Sequence, residues 1–508
     1  MPTSPLPDRP DTDPPVPRWR FIAAGVVLVL LIGAGAVWLL RPESTDCADG
    51  VKRFRTGDAT RCVGLTDGAY SFTDDLHTLF EKVEQENKEV DEEAESGGEP
   101  YVSVVYLAGM SPGHGDSQNA KSVRHELEGA HTAQIEANGN PRHDHKPQIK
   151  LLLGDMGSEA KHLDYTLKQI EARLKKDHIV AVAGLGTSAE GTEATVKKLS
   201  DLDIASFGSV LTADALENSH GLVRVAPPNA DEAAAAVQFL TSGKHSEDKV
   251  LIVQDSKAQD PYTDTLSEKF GDSLPKERKV DGEPMEYDSS KGGLATYFEN
   301  QNNNLCAKGP DVVYFAGRGR DLPAFLESLA KRNCRNSSLM VLSGDDTSQV
   351  LQADGFKNVK DSLKTGNIRL VYTGLAHPGA WTEERKDFFD QKAISSFGDD
   401  GNFKKISRDG ELEDGQAIMG YDAVCVAVRA IKLTAPQGNF QRDSVMQNLT
   451  GLNETNAVHG ASGYISVTNN GSPMDKAIPL IEIKKDGSTK TLDVVSGGGK
   501  GAPYTLPK

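Results

Sequence analysis

Short apolar runs rich in β-branched residues alternate with amphipathic stretches along the chain from residue 101 onward. A strand is predicted where an apolar run is short, and a helix where apolar residues recur every three or four positions. In the first half, strands are predicted at 101–107, 148–153, 179–183 and 203–207, with helices at about 117–138, 158–176 and 188–200.

The same alternation restarts at residue 249. Strands are predicted at 249–253, 311–316 and 339–342, with helices at about 261–274 and 321–333. Alternating strands and helices are typical of a parallel sheet with helices on both faces. The pattern therefore predicts an α/β protein with two doubly wound parallel-sheet lobes. Small ligands bind most often in the cleft between such domains.

A different pattern precedes these repeats. Residues 21–40 are twenty positions without a charge, which matches the roughly 20 residues that a helix needs to cross a bilayer. We predict a transmembrane signal anchor there, with a disordered, Pro-rich cytoplasmic tail at 1–20 and all that follows Arg41 outside the cell membrane. A cleavable signal peptide is the alternative, although its apolar core usually spans only ~7–15 residues.

Two further segments flank the predicted lobes. Residues 41–100 contain a Cys-bounded piece followed by an acidic helix with apolar spacing at Leu76, Leu79, Phe80 and Val83. The last segment, residues 491–508, is predicted to be a flexible tail.

The charge balance narrows the class of partner. The formal net charge is -18, and no cluster of Lys and Arg occurs in the sequence. A nucleic-acid surface needs such a cluster to contact phosphates, so nucleic-acid binding is not expected.

The cysteines indicate an oxidising compartment. Cys47 and Cys62 lie close together after the predicted anchor, and Cys306 and Cys334 flank one strand–helix unit. Two disulfides would fit an extracytoplasmic protein. Cys425 lies in an apolar helix and is expected to be a free thiol.

A glycine-rich turn at Gly184–Ala189 allows three interpretations. It fits G-x-G-x-x-G/A, the dinucleotide fingerprint, but the acidic residue expected after the next strand is missing, since that place holds Phe207. Thr187 to Glu190 also fits a capping box that simply starts a helix. In the third interpretation the helix start, with the Ser188 hydroxyl, binds the carboxylate of a ligand.

Other candidate chemistry is weak. Ser111 lies in a G-x-S-x-G pattern, but the next residue, Pro112, has no backbone N–H for an oxyanion hole. His143 and His145 lie in a polar turn and are expected to be solvated. We therefore predict no metal, no cofactor and no enzymatic activity.

With these elements placed, the chain from about 101 to 490 resembles the type I periplasmic solute-binding proteins, the branched-chain amino-acid receptor group of ABC transporters. The resemblance is carried by ordered segments that include "VAVAGLGTSAEGTEATVKKL", "GLVRVAPPNADEAAAAVQFL", "VLIVQDSKAQDPYTDTL", "GPDVVYFAGRGRDLPAF" and "VHGASGYISVTNNGSPMD". Each segment is weak alone, and their order and spacing together are fairly specific.

The resemblance implies two lobes joined by three crossovers, with the first lobe at 101–227 and 377–458 and the second at 228–376 and 459–490. It implies that the lobes close on a small polar solute, amino-acid-like in this group, for uptake through an ABC permease. The alternative is a ligand-sensing or scaffold ectodomain of the same fold without a transport role.

The resemblance also implies a set of ligand contacts. In this group a serine at the start of the third helix, here Ser188, takes the ligand carboxylate. The further contacts implied for the first lobe are Thr187, Gly208, Ser209 and Thr212.

From the second lobe the resemblance implies an aromatic residue, Tyr262, and an acid for the ligand ammonium, Asp346 with Asp345 as the near alternative. A zwitterion needs donors at one end and a carboxylate at the other. The structural alternatives stay open, with Tyr262 as a packing residue and Asp346 as a turn residue.

The chain departs from the pattern of this group in two places. The loop after the first strand, "AGMSPGHGDSQ", replaces the usual Thr-Gly segment, and the turn after the fourth strand lacks its proline. Together with the predicted anchor, these changes indicate a diverged receptor.

Overall fold

The computed structural model describes residues 46–56, 59–113, 115–139, 147–257, 259–434, 440–497 and 501–507. The chain divides into two units, Met1–Cys47 and Ala48–Lys508. Only Asp46 and Cys47 of the first unit are described, so the predicted tail and anchor lie outside the described residues. None of the described helices combines the length and the hydropathy that a membrane span requires.

Fifteen strands of the described residues form two sheets. The first sheet has the order β1-β2-β3-β5-β4-β6-β7-β8, and its strands are β1 (Asp46–Ala48), β2 (Val51–Thr56), β3 (Ala59–Thr66), β4 (Tyr101–Ala108), β5 (Gln148–Asp155), β6 (Ile179–Thr187), β7 (Ala205–Val210) and β8 (Leu222–Arg224). The second has the order β10-β9-β11-β12-β13-β14-β15, and its strands are β9 (Val250–Asp255), β10 (Met285–Tyr287), β11 (Val312–Ala316), β12 (Leu339–Ser343), β13 (Ile368–Thr373), β14 (Ile478–Ile483) and β15 (Thr489–Val495).

Helices cover these sheets. They are α1 (His77–Glu95), α2 (Ala120–Asn138), α3 (Leu163–Arg173), α4 (Thr192–Asp201), α5 (Asn229–Thr241), α6 (Pro261–Ser273), α7 (Leu294–Lys308), α8 (Leu322–Ala330), α9 (Phe356–Thr365), α10 (Gln391–Ser395), α11 (Asn402–Ile406), α12 (Gln416–Lys432) and α13 (Arg442–Gln447).

The predicted α/β class is confirmed, but both sheets are mixed. Strands β4 to β8 and β9 to β13 pair in parallel, as the alternating pattern predicts. Antiparallel strands extend each sheet at one edge: β2 and β3 beside β5, and β14 and β15 beside β13. Within each addition, β2 with β3 and β14 with β15, the connection is short, which antiparallel neighbours allow and parallel neighbours do not.

Two segments therefore differ from the expectations. Residues 491–495, expected in a flexible tail, belong to β15, which pairs with β14. The extension before residue 101 supplies β2 and β3 to the first sheet and α1 to its core, where Leu79, Phe80 and Val83 are buried as their helical spacing predicts.

The chain passes between the sheets three times. We call the part built on the first sheet the first lobe and the part built on the second sheet the second lobe. The chain leaves the first sheet after β8 and returns after β13, and it passes to the second sheet again at β14. Ala461, Ile465 and Val467, which precede the last passage, pack in the core of the first sheet.

The centre of the first lobe is the contact of α2 with α12. A Cβ atom at Gly129 would lie 1.8 Å from the Ala417 carbonyl oxygen, and one at Gly420 would lie 2.0 Å from that of Glu126. Both distances are far below contact, so glycine is required at these two positions for the helices to meet.

The cysteine predictions are confirmed. Cys306 and Cys334 form a disulfide that joins α7 to the segment after α8. Cys47 and Cys62 are both disulfide-bonded. Cys425 is a free thiol.

Candidate functional site

A cavity of about 440 Å³ lies at the carboxyl ends of the parallel strands, between the two lobes. Its wall is formed by the segments that follow β4, β5 and β6 on one side and β9 and β11 on the other. A cavity of 300–1,000 Å³ at a domain boundary is typical of small-molecule sites. This cavity is therefore the candidate functional site.

Thr187, the last residue of β6, lines the cavity. The predicted capping box from Thr187 to Glu190 is wrong, because α4 begins at Thr192. Gly191 takes the left-handed conformation before the helix, with a φ of 86°. Four residues thus separate the strand from the helix, and the predicted helix start at Ser188 is a turn.

Ser188 lies in this turn, with 1 % of its surface exposed, and does not line the cavity. Its hydroxyl oxygen accepts the backbone N–H groups of Thr212, at 3.0 Å, and Ala213, at 3.1 Å. The side chain thus fastens the turn after β6 to the turn after β7.

The three other first-lobe candidates also lie behind the cavity wall. The Ser209 hydroxyl donates to Glu126, which lies on α2. Burial raises the pKa of Glu126, despite the Ser209 donor and a further one from Tyr106 at 2.7 Å. Gly208 pairs with Gly184 inside the sheet, and the Thr212 carbonyl accepts the N–H at the start of α5.

Arg318 is the cavity residue that the sequence analysis missed. It lies two residues after the end of β11, and its guanidinium pairs with both carboxylate oxygens of Asp260, at 2.6 Å from Nη2 and 3.0 Å from Nε. The same Nη2 donates to the Ser188 carbonyl across the cleft. The available signal was its position, because the carboxyl end of a parallel strand is where ligands of open α/β sheets bind.

Asp260 is held for this pair by its helix. It is the N-cap of α6, where its side chain accepts the Thr263 N–H and Pro261 takes the first helical position. Burial alone would raise the pKa of Asp260, but the Arg318 guanidinium outweighs it and holds the pKa below its usual value. Asp260 is therefore a fixed anion at the cavity wall.

The Tyr262 ring packs against the Arg318 guanidinium of this pair. The Arg318 guanidinium carbon stands 4.5 Å from the centre of its ring, a cation–π arrangement. Its hydroxyl accepts the Asp346 N–H at 3.3 Å, and the side chain is 2 % exposed. Tyr262 thus contacts Arg318 and does not itself line the cavity.

The two predicted ammonium acceptors are occupied. The Asp346 carboxylate accepts from the Ser117 hydroxyl and, at 2.7 Å, from the Gly319 N–H. The Asp345 N–H donates to Glu232 at 3.1 Å, and the two side chains lie together away from the cavity. Burial and the neighbouring Asp346 charge raise the pKa of Asp345 to about 7.

Direct bonds join the lobes around this site. Ser117 and Asn119 of the first lobe bond Asp346 and Gln349 of the second, the latter pair at 3.2 Å between Asn119 Nδ2 and the Gln349 carbonyl. The lobes are therefore in a closed arrangement.

The competing motifs have structural explanations. The Ser111 hydroxyl donates to the buried Asp155 at 2.8 Å, so this group orders the loop after β4. At the glycine motif, Gly184, Leu185 and Gly186 all have positive φ, and the pairing of β6 with β7 shifts there. The glycines thus build a bulge, as bulges in strands often require.

One cluster has the donor types of a metal site. His125, Asp409 and Glu411 come within 4.8 Å of one another. Lys121 pairs with Glu411 at 2.8 Å and Arg124 with Asp409 at 2.8 Å, so cations of the chain already neutralise both acids. His143 and His145 lie outside the described residues.

Sequence comparison finds no matching family profile and no significantly similar curated protein. Structure comparison does find close folds. The leucine-binding protein LivK of Thermotoga maritima is 18% identical, with a TM-score of 0.56 and coverage of 77% of this chain and 98% of that one. The chain has the fold of the ABC-transporter solute-binding proteins.

Two further solute-binding proteins show the range of this fold. LivJ of Streptococcus pneumoniae, in complex with isoleucine, is 16% identical, with a TM-score of 0.57 and coverage of 78% of this chain and 99% of that one. A solute-binding protein of Rhodopseudomonas palustris BisB5, in complex with 3,4-dihydroxybenzoic acid, is 17% identical, with a TM-score of 0.56 and coverage of 78% and 98%. The predicted resemblance is confirmed at the level of the fold.

Proposed function

We propose that this chain binds a small polar solute in the cavity between its lobes and passes it to an ABC-type permease. The observation that carries the proposal is the cavity itself, a space of about 440 Å³ lined by both lobes. The solute-binding proteins that share the fold bind amino acids and aromatic acids. In this proposal the chain lies outside the cell, and residues 21–40 hold it at the membrane.

Some of the predicted residues contact the solute directly, and others support the cavity wall. Thr187 is a direct contact, because it lines the cavity. Ser188 and Asp346 do not line the cavity, and each supports its wall through hydrogen bonds to neighbouring groups. Tyr262 acts through Arg318, on which it packs.

The hydrogen bond and the burial of Ser111, the candidate nucleophile, support binding without catalysis. The Ser111 hydroxyl donates to Asp155, and burial raises the pKa of this carboxyl to about 6. The pair is enclosed, with Ser111 2 % exposed, so a solute in the cavity cannot reach the hydroxyl.

A sensing or scaffold role without transport is the second candidate. It is favoured by the bonds from Ser117 to Asp346 and from Arg318 to Ser188, which join the lobes through the chain's own groups. Bonds of this kind can hold one fixed surface for a partner, which a sensing or scaffold role requires.

The experiment is a thermal-shift screen of the purified full-length chain with amino acids, organic acids, amides, sugars and polyamines. A solute at 100 times its Kd stabilises the folded state by about 2.7 kcal/mol. Thr187→Val should reduce the shift, whereas Thr241→Val, at an exposed helix end of the second lobe, should not. If no solute of any class shifts the Tm, solute binding is wrong.

Transport and sensing are separated in cells. Deleting the gene should abolish uptake of the radiolabelled solute if the chain delivers it to a permease. Unchanged uptake, together with binding in vitro, would instead support the sensing role.

A further inference from the structure

The acids on the cavity wall are largely taken by groups of the chain. Asp260 pairs with Arg318, and Glu159 pairs with Lys161. Asp116 accepts the Gly113 N–H at 2.7 Å and the Ser158 hydroxyl at 2.6 Å, and the Glu159 N–H reaches its second oxygen at 2.6 Å. Each carboxylate oxygen of Asp260 and Asp116 therefore already accepts at least one hydrogen bond from the chain.

Two cations on the same wall, Lys257 and Arg320, have fewer partners within the chain. Lys257 forms no ion pair with the residues that the structure describes, and it lines the cavity. Arg320 lines it too, donating to the Gly115 carbonyl, with Asp321 at 3.8 Å from its Nε. The exposed Glu190 is the remaining acid, and the Gln259 amide faces it.

Arg318 adds a third donor. Its Nε and Nη2 are bonded to Asp260 and to the Ser188 carbonyl, whereas Nη1 has no partner among the described residues and is not enclosed. Arg318 lines the cavity although it is almost fully buried, so Nη1 is its one nitrogen available to a solute. Both N–H bonds of Nη2 are used, so Nη1 alone can donate to a solute carboxylate, in a charge-assisted hydrogen bond.

We propose that Arg318 is a built-in cation that occupies the Asp260 side of the cavity, so that the solute is a small organic carboxylate without an amino group. This inference rests on the proposed function and names its substrate class. Arg318, Lys257 and Arg320 receive the carboxylate, and Asp260 and Tyr262 hold Arg318 in place.

The physical reason is the cost of displacement. An amino acid could bind its ammonium to Asp260 only by removing Arg318, which would leave a guanidinium that is 3 % exposed without its counter-ion. Breaking a buried ion pair in this way is strongly unfavourable. A carboxylate without an amino group adds to the donors already present and displaces nothing.

The test compares matched solutes on the wild-type full-length chain by isothermal titration calorimetry. The pairs are leucine with 4-methylpentanoate and tyrosine with 3-(4-hydroxyphenyl)propanoate, with 4-hydroxybenzoate as a further acid. We expect each deaminated acid to bind at least tenfold more tightly than its amino acid. The uncharged 4-methylpentanamide should lose the binding that 4-methylpentanoate shows.

Two variants locate the effect. Arg318→Met frees Asp260, so it should weaken carboxylate binding and reverse the preference in favour of the amino acid. Arg320→Met should weaken carboxylate binding without reversing the preference. Arg369→Met, in the second lobe away from the cavity, is the matched control and should behave as wild type. If Arg318→Met does not fold, Arg318→Lys keeps the charge and should retain the carboxylate preference.

The outcomes separate the two claims. If amino acids bind as tightly as their deaminated forms or more tightly, the substrate class is wrong and solute binding stands. If neither class binds while a sugar or a polyamine does, the class is again wrong. If nothing binds, both the class and the proposed function are overturned.

Discussion

The Ser117 hydroxyl oxygen lies 2.8 and 2.7 Å from the two carboxylate oxygens of Asp346. Ser117 follows β4 in the first lobe and Asp346 follows β12 in the second, so this bond joins the lobes. The acid that the resemblance assigns to a ligand ammonium is therefore used to hold the closed arrangement.

Removing the Ser117 hydroxyl should favour an open arrangement of the lobes. A hydrogen bond to a charged group contributes about 1.5–3 kcal/mol, and Ser117→Ala removes it from the closed state alone. We expect small-angle X-ray scattering of the unliganded variant to give a larger radius of gyration than wild type. Ser395→Ala, at an exposed position of the first lobe, is the control. An unchanged radius in Ser117→Ala would show that the bond does not set the closure.

Ser188→Ala should lower the stability of the chain, with or without a bound solute. Ser188→Ala leaves two buried N–H groups, those of Thr212 and Ala213, without their acceptor. An unsatisfied buried group costs about 1–3 kcal/mol, so the free energy of unfolding should fall by at least that amount. Urea denaturation of the unliganded chain measures it, with the exposed Ser338→Ala as the control. A variant as stable as wild type would show that water replaces the hydroxyl.

The sequence predicts the parallel strands of each sheet better than the antiparallel strands at its edge. The alternation of apolar runs and amphipathic stretches indicates both lobes, because parallel strands buried on both faces are nearly continuous apolar segments. The antiparallel strands β2, β3 and β15 are half-exposed and polar at many positions, so their pattern is weak. Tertiary pairing with β5 and β14, which sequence spacing does not reveal, decides their structure.

The sequence indicated the ends of the parallel strands as the place of the candidate site, but not which side chains line the cavity. The segments after β6, β9 and β11 do line one cavity, since carboxyl ends of parallel strands meet at one edge, whereas Asp346 after β12 does not line it. Which side chain enters the cavity depends on rotamers and on partners distant in sequence. Arg318 illustrates this, because Asp260, 58 positions away, fixes its direction.

The pH dependence of stability should carry a contribution from Asp345. Its folded-state pKa is raised to about 7, chiefly by burial, whereas an unfolded aspartate has a pKa near ~3.9. Between these values the folded state holds a proton that the unfolded chain has released. The free energy of unfolding therefore falls as the pH rises through this window.

Asp345→Asn removes this contribution and also removes a charge that helps to raise the pKa of Glu232, and the two changes act in the same direction. The variant cannot lose a proton at this position, so its stability relative to wild type should be greater at pH 8 than at pH 5. His131 and His377, whose pKa values burial lowers to about 4, act in the opposite sense in both proteins and cancel in the comparison. Urea midpoints at the two pH values provide the measurement, with the exposed Asp400→Asn as the control. Equal differences at both pH values would contradict the assignment.

The disulfide between Cys306 and Cys334 should stabilise the second lobe. It closes a loop with a sequence separation of 28 residues, for which the chain-entropy relation gives about 3–4 kcal/mol. The double variant Cys306→Ser/Cys334→Ser should therefore unfold at a lower urea concentration than wild type under non-reducing conditions. With reductant present the difference should shrink, because the wild-type bridge then opens too.

Thiol titration of the unfolded, unreduced wild-type chain should find only Cys425, whereas the reduced chain should show all 5 cysteines. Three free thiols before reduction would mean that one of the two bridges does not form in the purified protein.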